Sequence, residues 1–141
     1  MKLTKRLELT ASSRATLVRL SEAAYPHEGC GVLIGVEQEG GVRVVEVTHA
    51  NNLNRERAHD RYELDPADLL SAELHAVEQN AEVIGIWHTH PDHPAEPSET
   101  DRQAAWEGWS YVIVSVESGR VARIRSWRLD RGTFYEEDIQ S

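Results

Sequence analysis

Cys30 is the only cysteine among 141 residues, so no internal disulfide can form. A lone thiol fits a reducing compartment. Long apolar runs are missing too, and no window approaches the roughly 20 apolar residues that a membrane-spanning helix needs. The stretch from Met1 to Thr10 is polar and charged and lacks the apolar segment of a secretory signal. Together these absences predict a cytoplasmic protein. Positive charge is also scarce, with 15 Lys and Arg against 24 Asp and Glu and a net charge of −9. An acidic surface repels phosphate, which argues against nucleic acid or an anionic membrane as a partner. Arg120, Arg123, Arg125 and Arg128 crowd one late segment, but their alternation is that of the wet face of a strand. No repeat, low-complexity tract or linker interrupts the chain, and the length suits a single domain over 1–141.

The 40% hydrophobic residues are enough for a core without staples. Leu7 to Thr10 alternates as an opening strand. Ser12 or Ser13 caps a helix running to about Tyr25, with Leu17, Leu20 and Ala24 on one face and Pro26 ending it. Cys30 to Val36 reads as a buried strand, and Gly40-Gly41 turns it into a second strand, Val42 to Val47. A polar loop from Asn51 to Asp60 precedes a short strand at Tyr62 to Leu64. Asp65-Pro66 starts a helix whose expected apolar stripe is Leu70, Leu74 and Val77. Glu82 to His90 is a central strand, and Ser98 opens a third helix to about Glu107. Strands at Tyr111 to Val116, Val121 to Leu129 and Phe134-Tyr135 follow, with Ser118-Gly119 as a turn. Helices and strands mix without strict alternation, which predicts an α+β fold: a mixed or antiparallel sheet flanked by helices.

The span from His88 to Asp101 is where chemistry concentrates. Strand alternation projects His88 and His90 to one face, with Trp87 and Thr89 to the other. Asp101 falls in the first turn of the next helix, where the helix dipole favours an ionised carboxylate. A loop of about ten residues lets that helix start fold back over the strand end. Two imidazoles and one carboxylate then make three ligands and leave a fourth tetrahedral place for water, the pattern of catalytic rather than structural zinc.

Each piece alone has a simpler explanation. A His-x-His pair is often two polar residues at a strand end. Ser98 with Asp101 three later is a common helix start, in which the serine hydroxyl bonds the backbone and is not free for substrate. Several acids stand near the histidines, Asp92, Glu96 and Glu99 among them, and spacing does not choose a general base. His27, His49, His59, His75 and His93 read as solvated, and Cys30 as a buried inert thiol. The four tryptophans read as packing residues, with Trp106 a possible wall of the pocket because it rides the helix of Asp101.

Taken together, the residues resemble the JAMM (MPN+) metalloprotease family, also called Mov34/MPN/PAD-1. The family pattern is a glutamate, then His-x-His-Pro, then Ser-x-x-Asp. Here it reads Glu28, His88-Thr89-His90-Pro91 and Ser98-Glu99-Thr100-Asp101. Pro26 to Gly35 is similar to the family's opening, and the likeness spans roughly Tyr25 to Val116. The resemblance implies a cytidine-deaminase-like MPN fold and one catalytic Zn2+ held by His88, His90 and Asp101. It implies Glu28 as the general base and Ser98 as the oxyanion donor. It further implies cleavage after the C-terminal Gly-Gly of a ubiquitin-like or sulfur-carrier protein, as deconjugation, carrier–cysteine release or precursor trimming. Dimers occur in the family, so a homodimer is a further expectation. The rival reading is a non-catalytic MPN scaffold, a branch that typically lacks the metal ligands present here. A zinc deaminase is disfavoured because its Pro-Cys-x-x-Cys signature is absent.

Overall fold

A computed structural model describes residues 5–141; the first four residues of the expected domain lie outside it. Seven strands and three helices follow in the order β1 (Arg6–Leu9), α1 (Ala11–Ala24), β2 (Cys30–Gln38), β3 (Gly41–Ala50), α2 (Pro66–Glu78), β4 (Glu82–Pro91), α3 (Glu99–Ala104), β5 (Ser110–Glu117), β6 (Arg120–Asp130) and β7 (Thr133–Gln140). The strands form one mixed sheet in the order β1-β3-β2-β4-β5-β6-β7, and it closes on itself because β1 pairs in parallel with both β3 and β7. The β4–β5 pair is also parallel and the remaining pairs are antiparallel. This is the α+β arrangement that the mixed pattern predicts. The closure was not visible, since β1 has four residues and its two partners lie far off in sequence.

Strand β2 is buried along its first six residues because both sheet faces are covered. One face packs Leu33 with Leu7, Leu9, Leu17, Val44, Trp87, Val112 and Val114. The other packs Val32 and Ile34 with Ile86, Tyr111 and the α2 residues Ala72 and Ala76. Leu17 of α1 is buried and Leu20 packs beside it, as their spacing predicts.

The expected stripe of α2 is wrong. Leu70, Leu74 and Val77 are 56, 61 and 72% exposed, while Ala72 and Ala76 are buried. The helix lies on its small residues, flanked by Leu69, which lets its backbone come close to β2 and β4. Bulk suggested one face, and the tertiary fit uses the other. Tyr62 to Leu64 is not a strand, making only an isolated bridge between Leu64 and Asn52. Helix α3 stops at Ala104, so Trp106 is not on it; that indole is 70% exposed and sits against Trp109. Trp87 is fully buried and donates its ring N–H to the Thr48 carbonyl. Among the described residues no helix is long and apolar enough to cross a membrane.

Candidate metal centre and active site

Strand β4 leaves the core at His88-Thr89-His90-Pro91. Alternation puts the two imidazoles on one face, with their Nε2 atoms 3.3 Å apart. After Pro91 the chain loops back, and Ser98 caps α3. The Ser98 hydroxyl accepts from the Asp101 N–H at 3.0 Å, and the Ser98 N–H donates to Asp101 Oδ2 at 2.9 Å, a reciprocal capping box. That box fixes Asp101 so that Oδ2 lies 3.3 Å from His88 Nε2 and 3.2 Å from His90 Nε2.

Three donor atoms thus form a nearly equilateral triangle of 3.2 to 3.3 Å edge. A tetrahedral zinc ion with ligands at about 2.0–2.1 Å requires ligand–ligand edges of about 3.3–3.4 Å. The donor set therefore fits zinc in chemistry and in spacing. His90 Nδ1 lies 2.8 Å from the Pro94 carbonyl, so Nδ1 carries the proton and Nε2 offers its lone pair inward. Tyr62 stacks on His88, ring centroids 4.4 Å apart and 21° between planes, and holds that ring in place.

The electrostatics of the three donors suit a cation. Burial works against charge on Asp101, but the hydrogen-bonding His88 and His90 hold its carboxyl well below the usual range. Burial also works against charge on His90, yet Asp101 and the Pro94 carbonyl raise its pKa above the ordinary value. Complete burial lowers the pKa of His88 despite the same carboxylate.

Glu28 is only 6% exposed, on the segment entering β2. A carboxylate oxygen of Glu28 and one nitrogen each of His88 and His90 lie within 4.8 Å of one another. Glu28 therefore stands beside the two imidazoles. Its carboxyl is pushed up to about 8, first by burial and further by Asp101 and Asp60, against the pull of His90 and Arg61. A carboxylate poised near neutrality beside a metal site has the profile of a general base.

The Ser98 hydroxyl uses a lone pair in the cap and keeps its own proton. The cap and an oxyanion role are therefore compatible, although the sequence sets them against each other. Glu28, His90, Ser98 and Asp101 open onto one cleft of about 400 Å3. The other acids near the histidines are engaged elsewhere. Asp92 accepts from Tyr25 and from the Ser118 N–H, Glu96 pairs with Arg125, and Glu99 pairs with Arg102. Cys30 is buried across the ladder from His88; burial first, then Glu28, push its thiol up to about 12, so it stays protonated. His93 lines the cleft, while His27 lies outside it.

Sequence reasoning missed four contributors. Thr89 faces away from the metal site as expected, yet its hydroxyl accepts from the Gly29 N–H at 2.8 Å, tying the Glu28 segment to β4. Asn52 donates to the Glu28 carbonyl at 3.2 Å and the Arg61 carbonyl at 3.0 Å and accepts from the Asn54 and Glu63 N–H groups. Tyr62 and Arg61 line the cleft from the same loop.

Residues 10–130 match the family described as prokaryotic homologs of the JAB domain. The chain is 34% identical over 123 residues to the "Desampylase" of Haloferax volcanii, covering 83% of this chain and 86% of that one. It is 36% identical over 117 residues to the "CysO-cysteine peptidase" of Mycobacterium tuberculosis, covering 82% and 77%. A solution structure from Desulfitobacterium hafniense superposes with a TM-score of 0.83 at 27% identity, covering 94% of this chain and 90% of that one. A JAB1/MPN domain protein from Archaeoglobus fulgidus superposes with a TM-score of 0.56 at 15% identity, covering 99% and 100%, a likeness of fold.

Proposed function

The chain belongs to the prokaryotic JAB-domain family, and on that premise we propose that it is a zinc-dependent peptidase cutting after the C-terminal Gly-Gly of a ubiquitin-like or sulfur-carrier protein. The observation that carries the reading is the triangle of His88 Nε2, His90 Nε2 and Asp101 Oδ2, sized for one tetrahedral ion. The names of the haloarchaeal and mycobacterial relatives support the activity, one being a desampylase and the other a CysO-cysteine peptidase. All seven strands belong to one sheet, which supports a single catalytic unit.

In this reading His88, His90 and Asp101 hold the zinc, which when bound polarises the scissile carbonyl and acidifies water. Glu28 takes a proton from the attacking water. As the C–N bond breaks, Glu28 returns the proton to the leaving amine, and the glycine keeps the water oxygen as a carboxylate. Ser98 donates its free hydroxyl proton to the oxygen of the scissile carbonyl as charge builds there. The capping box keeps both Asp101 and Ser98 in register, so one local motif orients a ligand and a donor. A Gly-Gly tail suits a narrow approach because it carries no side chains.

The test is direct. Purified protein is loaded with zinc and offered a carrier protein with a Gly-Gly junction to another residue. Hydrolysis after the second glycine, lost on chelation and restored by zinc, supports the reading. Stoichiometric zinc without turnover of Gly-Gly substrates would instead favour a scaffold.

A further inference from the structure

Three consecutive carbonyls in the loop between β4 and α3 are each taken by a side chain from a different strand. The His93 carbonyl accepts from the Ser115 hydroxyl of β5 at 2.6 Å. The Pro94 carbonyl accepts from His90 Nδ1 of β4 at 2.8 Å. The Ala95 carbonyl accepts from the ring N–H of Trp127 on β6 at 3.1 Å. A loop outside the ladders leaves its carbonyls to water or to side chains. Ala95 and Ser115 are both buried, so a side chain takes the place of water at either end of this run.

The sheet brings these donors together. His90 is paired with Ser115, and His88 with Ile113, which is paired in turn with Arg125. Paired residues share a face, and so does Trp127, two residues beyond Arg125. The loop therefore crosses the same face that carries both imidazoles. Arg125 lies over the Trp127 ring, 4.5 Å from its centroid, and steadies the indole.

Two of the three donor atoms of the metal centre depend on where this loop lies. The Pro94 carbonyl aims His90 Nε2 inward by holding the opposite ring nitrogen. Pro94 has no N–H with which to anchor itself, so its position comes from the bonds on either side of it. Three residues after Ala95 comes Ser98, whose capping box carries Asp101. His88 differs, since full burial and the stacked Tyr62 ring fix it independently of the loop.

We propose that Ser115 and Trp127 are positioning residues of the metal centre. Together they pin the backbone of residues 93–95, so that the Pro94 carbonyl orients His90 and α3 presents Asp101 before an ion arrives. The inference rests on the zinc reading above, and it adds two residues, on β5 and β6, to those that set zinc affinity. Trp127 then does more than pack.

Zinc affinity, measured by competition with a chromophoric chelator, tests this without reference to turnover. Trp127→Phe keeps an aromatic ring and removes the N–H, and Ser115→Ala removes the hydroxyl alone. Each is expected to raise the zinc Kd about tenfold or more, within the roughly 10–100-fold that loss of a partner behind a metal ligand costs. Cobalt in place of zinc adds a spectroscopic reading, and its visible bands are expected to shift in both variants as the ligand geometry loosens. Asp65→Ala, which weakens the cap of α2 outside this loop, is expected to change neither reading. Denaturation of each metal-free variant establishes that it is folded before titration; should one fail to fold, the other carries the test. An unchanged Kd in the folded variants, or an equal rise in Asp65→Ala, overturns the positioning role and leaves the zinc reading standing. Absence of stoichiometric zinc from the unaltered protein after loading overturns the zinc reading, and the positioning role with it.

Discussion

Helices α2 and α3 begin with the same kind of signal and end in different employment. Asp65 caps α2 by accepting from the Ala67 N–H, with Pro66 in the first turn and Asp68 behind it. Ser98 caps α3, with Glu99 and Asp101 in its first turn. In α2 the cap serves the helix: 13 residues are extended, and Asp68 accepts from the Asn51 N–H. In α3 the helix serves the cap. Six residues are far below the roughly 12 at which an isolated helix becomes marginally stable, so α3 persists through its box and its tertiary contacts. Its carboxylate oxygen accepts a backbone N–H and faces two imidazoles at once. A capping acid acquires the geometry of a ligand when the fold brings other donors to it, and nothing local to the helix announces that.

The largest effect that would break this comparison is at the acids themselves. Asp101→Asn should abolish stoichiometric zinc and all turnover, whereas Asp68→Asn should change neither; metal analysis after gel filtration reads both. Zinc retained in Asp101→Asn would return that residue to the status of an ordinary cap.

Next comes Glu28, buried like Asp101 and placed beside the same two imidazoles. Glu28→Gln should lower kcat by about 10²–10⁴, the usual worth of a general base, with zinc retained. Glu96→Gln should leave kcat within about twofold. The two buried acids should also differ in their effect on metal-free stability. The Glu28 pKa rises on folding from 4.5 to about 8, so its contribution is complete below pH 4.5 and is lost as pH rises toward 8. The Asp101 pKa falls on folding, so its contribution is present above its ordinary 3.8 and is lost as pH falls below that. Chemical denaturation of metal-free protein between pH 5 and 8 should show the decline, and Glu28→Gln should flatten it.

Ser98→Ala separates cap from chemistry. Loss of the donor should cost about 10²–10³ in kcat, and loss of the cap about 1 kcal/mol in stability, with zinc content nearly intact. Asp65→Ala on α2 should cost about the same stability and leave kcat alone. If both variants lose only stability, Ser98 is a cap like any other.

The smallest effect concerns the face of α2. Leu74→Gln should shift the unfolding midpoint by less than about 0.5 kcal/mol, since that side chain is in water. Ala76→Leu should cost about 1–3 kcal/mol by overpacking the contact with β2 and β4. The reverse order would reinstate the face that bulk alone suggests.

Where the sequence could be read, the reason was local geometry. His88 and His90 share a face because strand alternation does not depend on the rest of the fold. The cap at Ser98 was legible because a box needs only residues three apart. What escaped depended on close approach between distant segments. The α2 face was misjudged because Ala72 and Ala76 carry little hydrophobic weight, yet their small size lets the helix seat on the sheet. Asn52 and Arg61 looked like polar loop because their partners, the Glu28 carbonyl and the open cleft, are far from them in sequence. Trp106 would wall the pocket only on a helix extending to about Glu107, and α3 ends at Ala104.

The order of residues alone determined the inventory of donors: two imidazoles on one strand face, an acid in a capped first turn, and a hydroxyl beside it. Each follows from backbone periodicities set by the nearest few residues. Only the closed sheet and its loops decided that these donors converge to 3.2–3.3 Å, that Glu28 rather than a nearer acid stands beside them, and that Arg61 lines the cleft. Those outcomes turn on long-range packing and on the withdrawal of charged groups from water, neither of which a short window of sequence contains.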